Sequence, residues 1–231
     1  MIDYNCLIGN WPFRKVRDNS FKKLQVIHTK YEIEYGYVAN TDSIFYNDPY
    51  EGDILLAKKL KNSNHKMVIS MNLNLPYLYR DIKKSNETFD YEGIRIYPSI
   101  HKYDLKGSKF NEFLHMVKEN NKKLFISYRM GDIRLDHIIE QQLPDIVDIK
   151  EIMTNKYDNE IYLLNLKSAE VLDLKENFIK SKNVFFDTSD VKHETFAMEK
   201  FNSEKLNKKY VFGSFFPLYT FESSYFIYTR T

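Results

Sequence analysis

The 231-residue sequence predicts an α/β fold, a single-domain (β/α)8 barrel over residues 1–231. Two observations point there. Eight short β-rich runs follow one another at intervals of about 25 to 35 residues, and stretches with helical spacing lie between them. Strands that alternate with helices pair in parallel through right-handed crossovers, and eight such units favour a closed barrel over an open sheet. An open doubly wound sheet is the second reading, but no glycine-rich phosphate loop follows the first strand.

The predicted strands are Ile2–Ile8, Tyr35–Ala39, Met67–Met71, Gly93–Tyr97, Leu124–Tyr128, Ile161–Asn165, Val184–Asp187 and Tyr210–Gly213. Helices are predicted over Asn19–Thr29, Asp53–Leu60, Lys109–Glu119, Ala169–Ile179, Glu194–Phe201 and Phe221–Tyr228. Lys109–Glu119 shows the physical basis. Phe110, Phe113, Leu114 and Val117 fall on one stripe, with Lys109, Glu112, Lys118 and Glu119 outside it. Between Gly131 and Thr154, Pro144 and two Asp-Ile pairs predict a long loop with one or two short helices.

Composition narrows the function classes. Hydrophobic residues are 43% of the total, enough for a sizeable core, and 34 basic against 32 acidic residues are spread evenly. Nucleic-acid binding concentrates positive charge on one face, so no nucleic-acid partner is expected. The single cysteine, Cys6, excludes an intramolecular disulfide framework. The start Met1-Ile2-Asp3-Tyr4-Asn5 lacks the basic segment of a signal peptide, and no run reaches the roughly 18 apolar residues of a membrane span. The expectation is a soluble cytoplasmic protein without membrane contact, with homo-oligomerisation left open.

Barrel enzymes place their chemistry at the C-terminal ends of the strands. Those ends carry Asn5, Asn40, Asn72, Arg95, His101, Tyr128, Arg129, Asn165, Asp187, Ser189 and Ser214. Asn5, Trp11, Arg95, Arg129 and Ser214 are the candidate substrate-binding residues, and His101 and Asp187 the candidate catalytic ones. Two guanidiniums turned into the mouth would suit a carboxylate or phosphate. The alternative is structural pairing of the arginines with Asp3, Asp132 or Asp187. His101 is either a general acid or base or an exposed loop histidine, and Asp187 either a base or an arginine partner. Cys6 is either a nucleophile, with His101 as its base, or buried packing. His28, His65, His115, His137 and His193 lie on helices or their flanks, away from the expected mouth. Trp11-Pro12-Phe13-Arg14 either lines a pocket for a flat ligand or plugs the barrel top.

Several segments, in order along the sequence, resemble the amidohydrolase-related family of metal-dependent barrel hydrolases and decarboxylases. Gly93-Ile94-Arg95-Ile96-Tyr97-Pro98 resembles that family's central strand, in which glycine, a small apolar residue, arginine, a hydrophobic residue, any residue and proline follow one another. Val184–Ser189 resembles the strand that presents an Asp or Ser to the site, and Tyr210–Pro217 the closing strand with its Gly-Ser-Asp-x-Pro end. One subgroup begins with Asn-x-x-x-Gly-x-x-Pro-Phe-Arg, matched by Asn5, Gly9, Pro12, Phe13 and Arg14. It also carries Arg-Met-x-Asp-x-Arg, matched by Arg129, Met130, Asp132 and Arg134. The resemblance implies a hydrolase or lyase of a small molecule with zinc bound by a His-x-His pair on the first strand. Here Asn5 and Leu7 stand at those two positions, Asn165 where a sixth-strand histidine is expected, and Phe215 where the closing strand offers Asp. Zinc needs nitrogen, sulfur or carboxylate ligands at about 2 Å, so no metal ligands and no cofactor are expected. The small-molecule partner is expected to be a carboxylate. The other reading is a non-catalytic barrel that binds a small anion or a protein.

Overall fold

In the computed structural model, which describes residues 1–131, 139–154, 157–191 and 196–229, every β-rich run forms a strand. They are β1 (Ile2–Ile8), β2 (Tyr35–Asn40), β3 (Lys66–Met71), β4 (Gly93–Ile96), β5 (Lys123–Ser127), β6 (Ile161–Leu164), β7 (Val184–Asp187) and β8 (Tyr210–Val211). The helices are α1 (Phe21–Lys30), α2 (Pro49–Leu60), α3 (Leu78–Thr88), α4 (Pro98–His101), α5 (Gly107–Glu119), α6 (Ile146–Thr154), α7 (Ser168–Asp173), α8 (Lys175–Lys180), α9 (Ala197–Ser203) and α10 (Phe221–Thr229). Among the described residues no helix is long and apolar enough to cross a membrane.

Local chemistry sets the helix ends. Ser20 caps α1 by accepting the Lys23 N–H, and Asp48 caps α2 by accepting that of Tyr50, with Pro49 opening the helix. Sequence periodicity does not reveal α3, because only Leu78, Ile82 and Ser85 of its polar sequence are buried. The stretch predicted as one helix over Ala169–Ile179 is two, interrupted at Leu174. Pro98 opens the short helix α4, where a loop carrying His101 was expected. Asp132, Arg134, His137, His193 and Glu194 lie outside the described residues.

The strands pair in parallel in the order β1 to β8. The segment after β8 then returns to β1. Tyr4 N–H donates to the Phe212 carbonyl at 2.9 Å, Phe215 N–H to Asn5 at 2.8 Å, and Leu7 N–H to Phe216 at 2.7 Å. These bonds close the barrel, as the eight-unit alternation predicted.

Alternation along the strands makes two cores. Val38, Ile69, Ile94, Ile126, Leu163 and Phe186 face the helices. Tyr37, Val68, Phe125, Tyr162 and Leu164 face the barrel axis. Tyr4 joins this inner set, with ring centroids 5.0 Å from Tyr37 and 4.7 Å from Tyr162. Phe125 stacks on Tyr162 at 5.0 Å, so an aromatic layer fills the interior.

β1 departs from strict alternation. Its register against β2 shifts between Asp3 and Cys6. A bulge inserts an unpaired residue and re-aims its neighbours. The ring of Tyr4 and the amide of Asn5 thereby both turn inward, while Asp3 and Cys6 both reach α1. At the closing seam Gly213 lies against Asp187, and a Cβ there would sit 2.8 Å from Asp187 Cβ. Gly213→Ala is therefore expected to lower stability by about 1–3 kcal/mol, the usual cost of overpacking a core. The urea unfolding midpoint measures this, and an unchanged midpoint would contradict the close packing.

Candidate functional site

The C-terminal half of the interior is polar where β6, β7, β8 and β1 meet. Asp187, at the end of β7, is fully buried. Its carboxylate accepts from the Asn5 side-chain amide at 2.8 Å and from the Asn165 backbone N–H at 2.6 Å. The Asn5 amide also reaches Asn165 Oδ1 at 3.2 Å and Ser189 Oγ at 3.3 Å, and Asn165 Nδ2 donates to Ser189 at 2.8 Å. Burial raises the Asp187 pKa, against the lowering effect of its hydrogen bonds from Ser189, Asn5 and Asn165 and of the Arg95 charge. Asn165 adopts φ +63° and Phe215 φ +52°. A left-handed backbone is tolerated by Asn and uncommon for a bulky aromatic.

Arg95 projects from β4 into the same interior and is 2% exposed. Its Nε donates to Ser127 Oγ at 2.8 Å, and its guanidinium lies 5.3 Å from the centre of the Tyr97 ring. Burial lowers its pKa, opposed by the charges of Tyr97, Asp187, Cys6 and Asp3. One guanidinium nitrogen, Nη2, has no partner among the described residues, and neither has the buried Oδ1 of Asn5. Unpaired buried polar atoms are costly, and here a donor and an acceptor are both left open in the same interior.

Arg129 is occupied differently. It donates to the Asn165 carbonyl at 2.9 Å and pairs through both terminal nitrogens with Glu170, with Asp190 at 3.4 Å. Burial disfavours its charge, but Glu170 and Asp190 outweigh that and raise the pKa. The structural partners expected from the sequence were Asp3, Asp132 or Asp187; the observed ones are Glu170 and Asp190. Glu170 also accepts the Lys167 N–H at the start of α7, which brings it to this arginine.

An aromatic cover lies over the mouth. Trp11, Phe13 and Phe45 meet edge to face, with centroids 5.4 to 5.5 Å apart. Arg14 ties the loop down by donating to the Leu218 carbonyl at 2.6 Å. Ser214 N–H donates to Asp3 at 2.9 Å, and Ser214 Oγ accepts from the Phe216 N–H at 3.1 Å. His101 ends α4 and donates from Nε2 to the Ile44 carbonyl at 2.8 Å, which leaves a buried Nδ1 without a partner among the described residues. Burial lowers its pKa, opposed by the Ile44 carbonyl. The structure thus brings Asn5, Asp187, Arg129 and Ser214 into one connected group, with Arg95 acting on it through charge. Trp11 is in the cover, and His101 lies beside the loop after β2.

No protein-family model matches the sequence, and no curated protein matches it. Solved structures do. A 2,6-dihydroxybenzoate decarboxylase complexed with 2,6-dihydroxybenzoate superposes with a TM-score of 0.75 at 9% identity, over 100% of this protein and 92% of that one. A dihydroxybenzoic acid decarboxylase from Polaromonas sp. JS666, with manganese and 2-nitroresorcinol, gives 0.73 at 11% identity over 100% and 90%. A probable 2-pyrone-4,6-dicarboxylic acid hydrolase from Acinetobacter baumannii, with citric acid, gives 0.67 at 9% over 99% and 91%. The protein has the TIM-barrel fold of these structures.

The metal that the resemblance implies can be tested against this barrel's own mouth. Leu7 offers no donor atom. The Asn5 and Asn165 amides turn N–H groups toward Asp187 and Ser189, where a metal would need lone pairs. The carboxylate at the centre of the group, Asp187, already accepts at both oxygens. This donor set does not fit a transition-metal ion.

A different group escaped the sequence reading. Asp3, Cys6 and His28 bring their ligand atoms within 4.8 Å of one another behind β1. Cys6 therefore has His28 as its imidazole neighbour, at 3.9 Å, where the sequence suggested His101. The available signal was the bulge, which turns two β1 side chains toward α1, but no residue type announces a bulge.

Asp187 has a testable pH signature. Its folded pKa lies above the ordinary value of 3.8, so the folded protein holds an extra proton in the range between them. Stability then falls as pH rises through that range. Relative to Asp187→Asn, which does not titrate, the wild type is expected to lose melting temperature as pH rises above the ordinary carboxylate value of 3.8. A difference that is flat with pH would show that Asp187 is not held protonated by burial.

Proposed function

We propose that the protein is a hydrolase or lyase of a small organic acid, acting at the mouth of one barrel that spans residues 1–231. The observation that carries this is the pair of buried, unpartnered atoms, Arg95 Nη2 and Asn5 Oδ1, beside a carboxyl group with a raised pKa. A guanidinium needs an acceptor and a carboxamide oxygen needs a donor, so a carboxylate that also bears a hydroxyl or N–H group complements both. Trp11 and the rings beside it supply an apolar wall. The bound citric acid and 2,6-dihydroxybenzoate of the fold neighbours are hydroxy acids of this description.

Arg95 receives the carboxylate, with Asn5 and Ser214 setting its orientation. Arg129 holds the Asn165 end of the network through its bond to that carbonyl. Asp187 is the proton-transfer group. Protonated, it is an acid for a carbon or leaving group; ionised, it is a base toward water. His101 is the second candidate for proton transfer, with the lone pair of Nδ1 available.

The second reading, a barrel that binds a small anion or a protein without turning anything over, has its own support. Asn5, Asp187 and Ser214 are each fully buried, so substrate entry requires the residues around them to move.

Calorimetric titration with hydroxybenzoates and citrate, joined to product analysis, separates the readings. A charge-assisted hydrogen bond contributes roughly 1.5–3 kcal/mol, so Arg95→Gln is expected to weaken carboxylate binding about ten- to a hundredfold. Asp187→Asn is expected to keep binding and abolish turnover. Equal affinity in wild type and Arg95→Gln would remove Arg95 from the site, and binding without turnover in the wild type would establish the second reading.

A further inference from the structure

Behind β1, on the face turned to α1, three metal-ligand chemistries converge. Asp3 Oδ2 lies 3.3 Å from His28 Nε2, and Cys6 Sγ lies 3.9 Å from the same nitrogen. All three side chains are buried. Zinc bonds of about 2.0–2.3 Å in a tetrahedral array place neighbouring ligand atoms roughly 3.2–3.8 Å apart; the two distances to His28 are close to that, and all three ligand atoms lie within 4.8 Å of one another, so binding draws the group slightly together.

The surroundings hold each ligand by its far end. Asp3 Oδ1 accepts from Asn5 N–H at 3.1 Å and Ser214 N–H at 2.9 Å, which leaves Oδ2 directed at His28. His28 Nδ1 faces His65 Nε2 at 2.9 Å, which leaves Nε2 directed at Asp3 and Cys6. Metal-binding imidazoles are commonly oriented by a hydrogen bond at the other ring nitrogen, as His65 supplies here. Gly36 on β2 provides the space. A Cβ at that position would lie 2.7 Å from Cys6 Sγ and 2.8 Å from His28 Cε1, so any other residue would force the two ligands to shift.

We infer that Asp3, Cys6 and His28 form a binding site for one transition-metal dication of the zinc class, with His65 as the positioning residue behind His28. Thiolate, imidazole and carboxylate together suit zinc or cobalt better than magnesium or calcium, which take oxygen ligands. Burial together with the Asp3 charge keeps the Cys6 thiol protonated in the absence of a cation. On binding, the thiol gives its proton to solvent. His28 Nε2 likewise gives up its proton to solvent, and Nδ1 carries the proton donated to His65. The site links β1 to α1 on the outside of the wall, and it meets the mouth through the backbone N–H groups of Asn5 and Ser214 that hold Asp3 and through the charge of Arg95.

The test is titration of the full-length protein with cobalt(II), followed by displacement with zinc. Cys6 is the only cysteine in the sequence, so a thiolate-to-cobalt charge-transfer band reports this site without any substitution. The expected result is such a band, with the visible bands of tetrahedral cobalt, saturating at one equivalent and abolished by zinc. His65→Ala is expected to weaken cobalt binding about ten- to a hundredfold. The absence of a charge-transfer band in the wild type, or a band that persists in Cys6→Ser, overturns the assignment.

Discussion

A barrel closes only where its last strand finds its first, and in this protein a single carboxylate stands at that junction. β8 is only two residues long, Tyr210–Val211, so the segment after it must complete the ladder. Asp3 accepts the N–H of Asn5 on one side of the seam and that of Ser214 on the other. It is fully buried, yet its pKa is lowered: burial works against ionisation, and the bonds and charge of His28 and the bonds of Ser214 overcome it. Removing any one partner would leave a buried charge poorly compensated, which costs far more than an ordinary hydrogen bond is worth. The bulge in β1, the inward turn of Asn5 and the return of the backbone through Phe216 all follow from satisfying that group.

The polar interior depends on the seam in turn. Asn5 is carried inward by the bulge and becomes the donor that holds Asp187, Asn165 and Ser189 together. The layer of Tyr4, Phe125 and Tyr162 and the aromatic cover enclose this group in apolar surroundings. Low polarity strengthens every hydrogen bond inside and raises the cost of each one left unmade. That is why leaving atoms of Arg95 and Asn5 unpaired is costly, whereas the paired guanidinium of Arg129 is a brace between the segments that follow the sixth and seventh strands.

At the positions where the family resemblance implies imidazoles, this barrel has amides and a leucine. Amides bond well to one another and to a carboxylate, and Leu7 packs into the inner apolar core. Among the described residues, Arg95 Nη2, Asn5 Oδ1 and Thr188 Oγ1 are buried atoms left without a protein partner in this region. Transition-metal ligand types do occur in this protein, but on the other face of β1.

The eight strands, their order and the end of the barrel at which Asn5, Asp187 and Ser214 gather are legible along the linear sequence, because period-two alternation and strand termini are local properties. The sequence also placed Phe13 and Trp11 in a compact apolar loop. Tertiary structure alone decided who meets whom across elements. Arg129 found Glu170 because α7 starts beside the end of β6, and Cys6 found His28 because a bulge turned it toward α1. Strand registers, bulges and the rotation of a helix against a sheet are set by packing among residues far apart in sequence, so no local pattern encodes them.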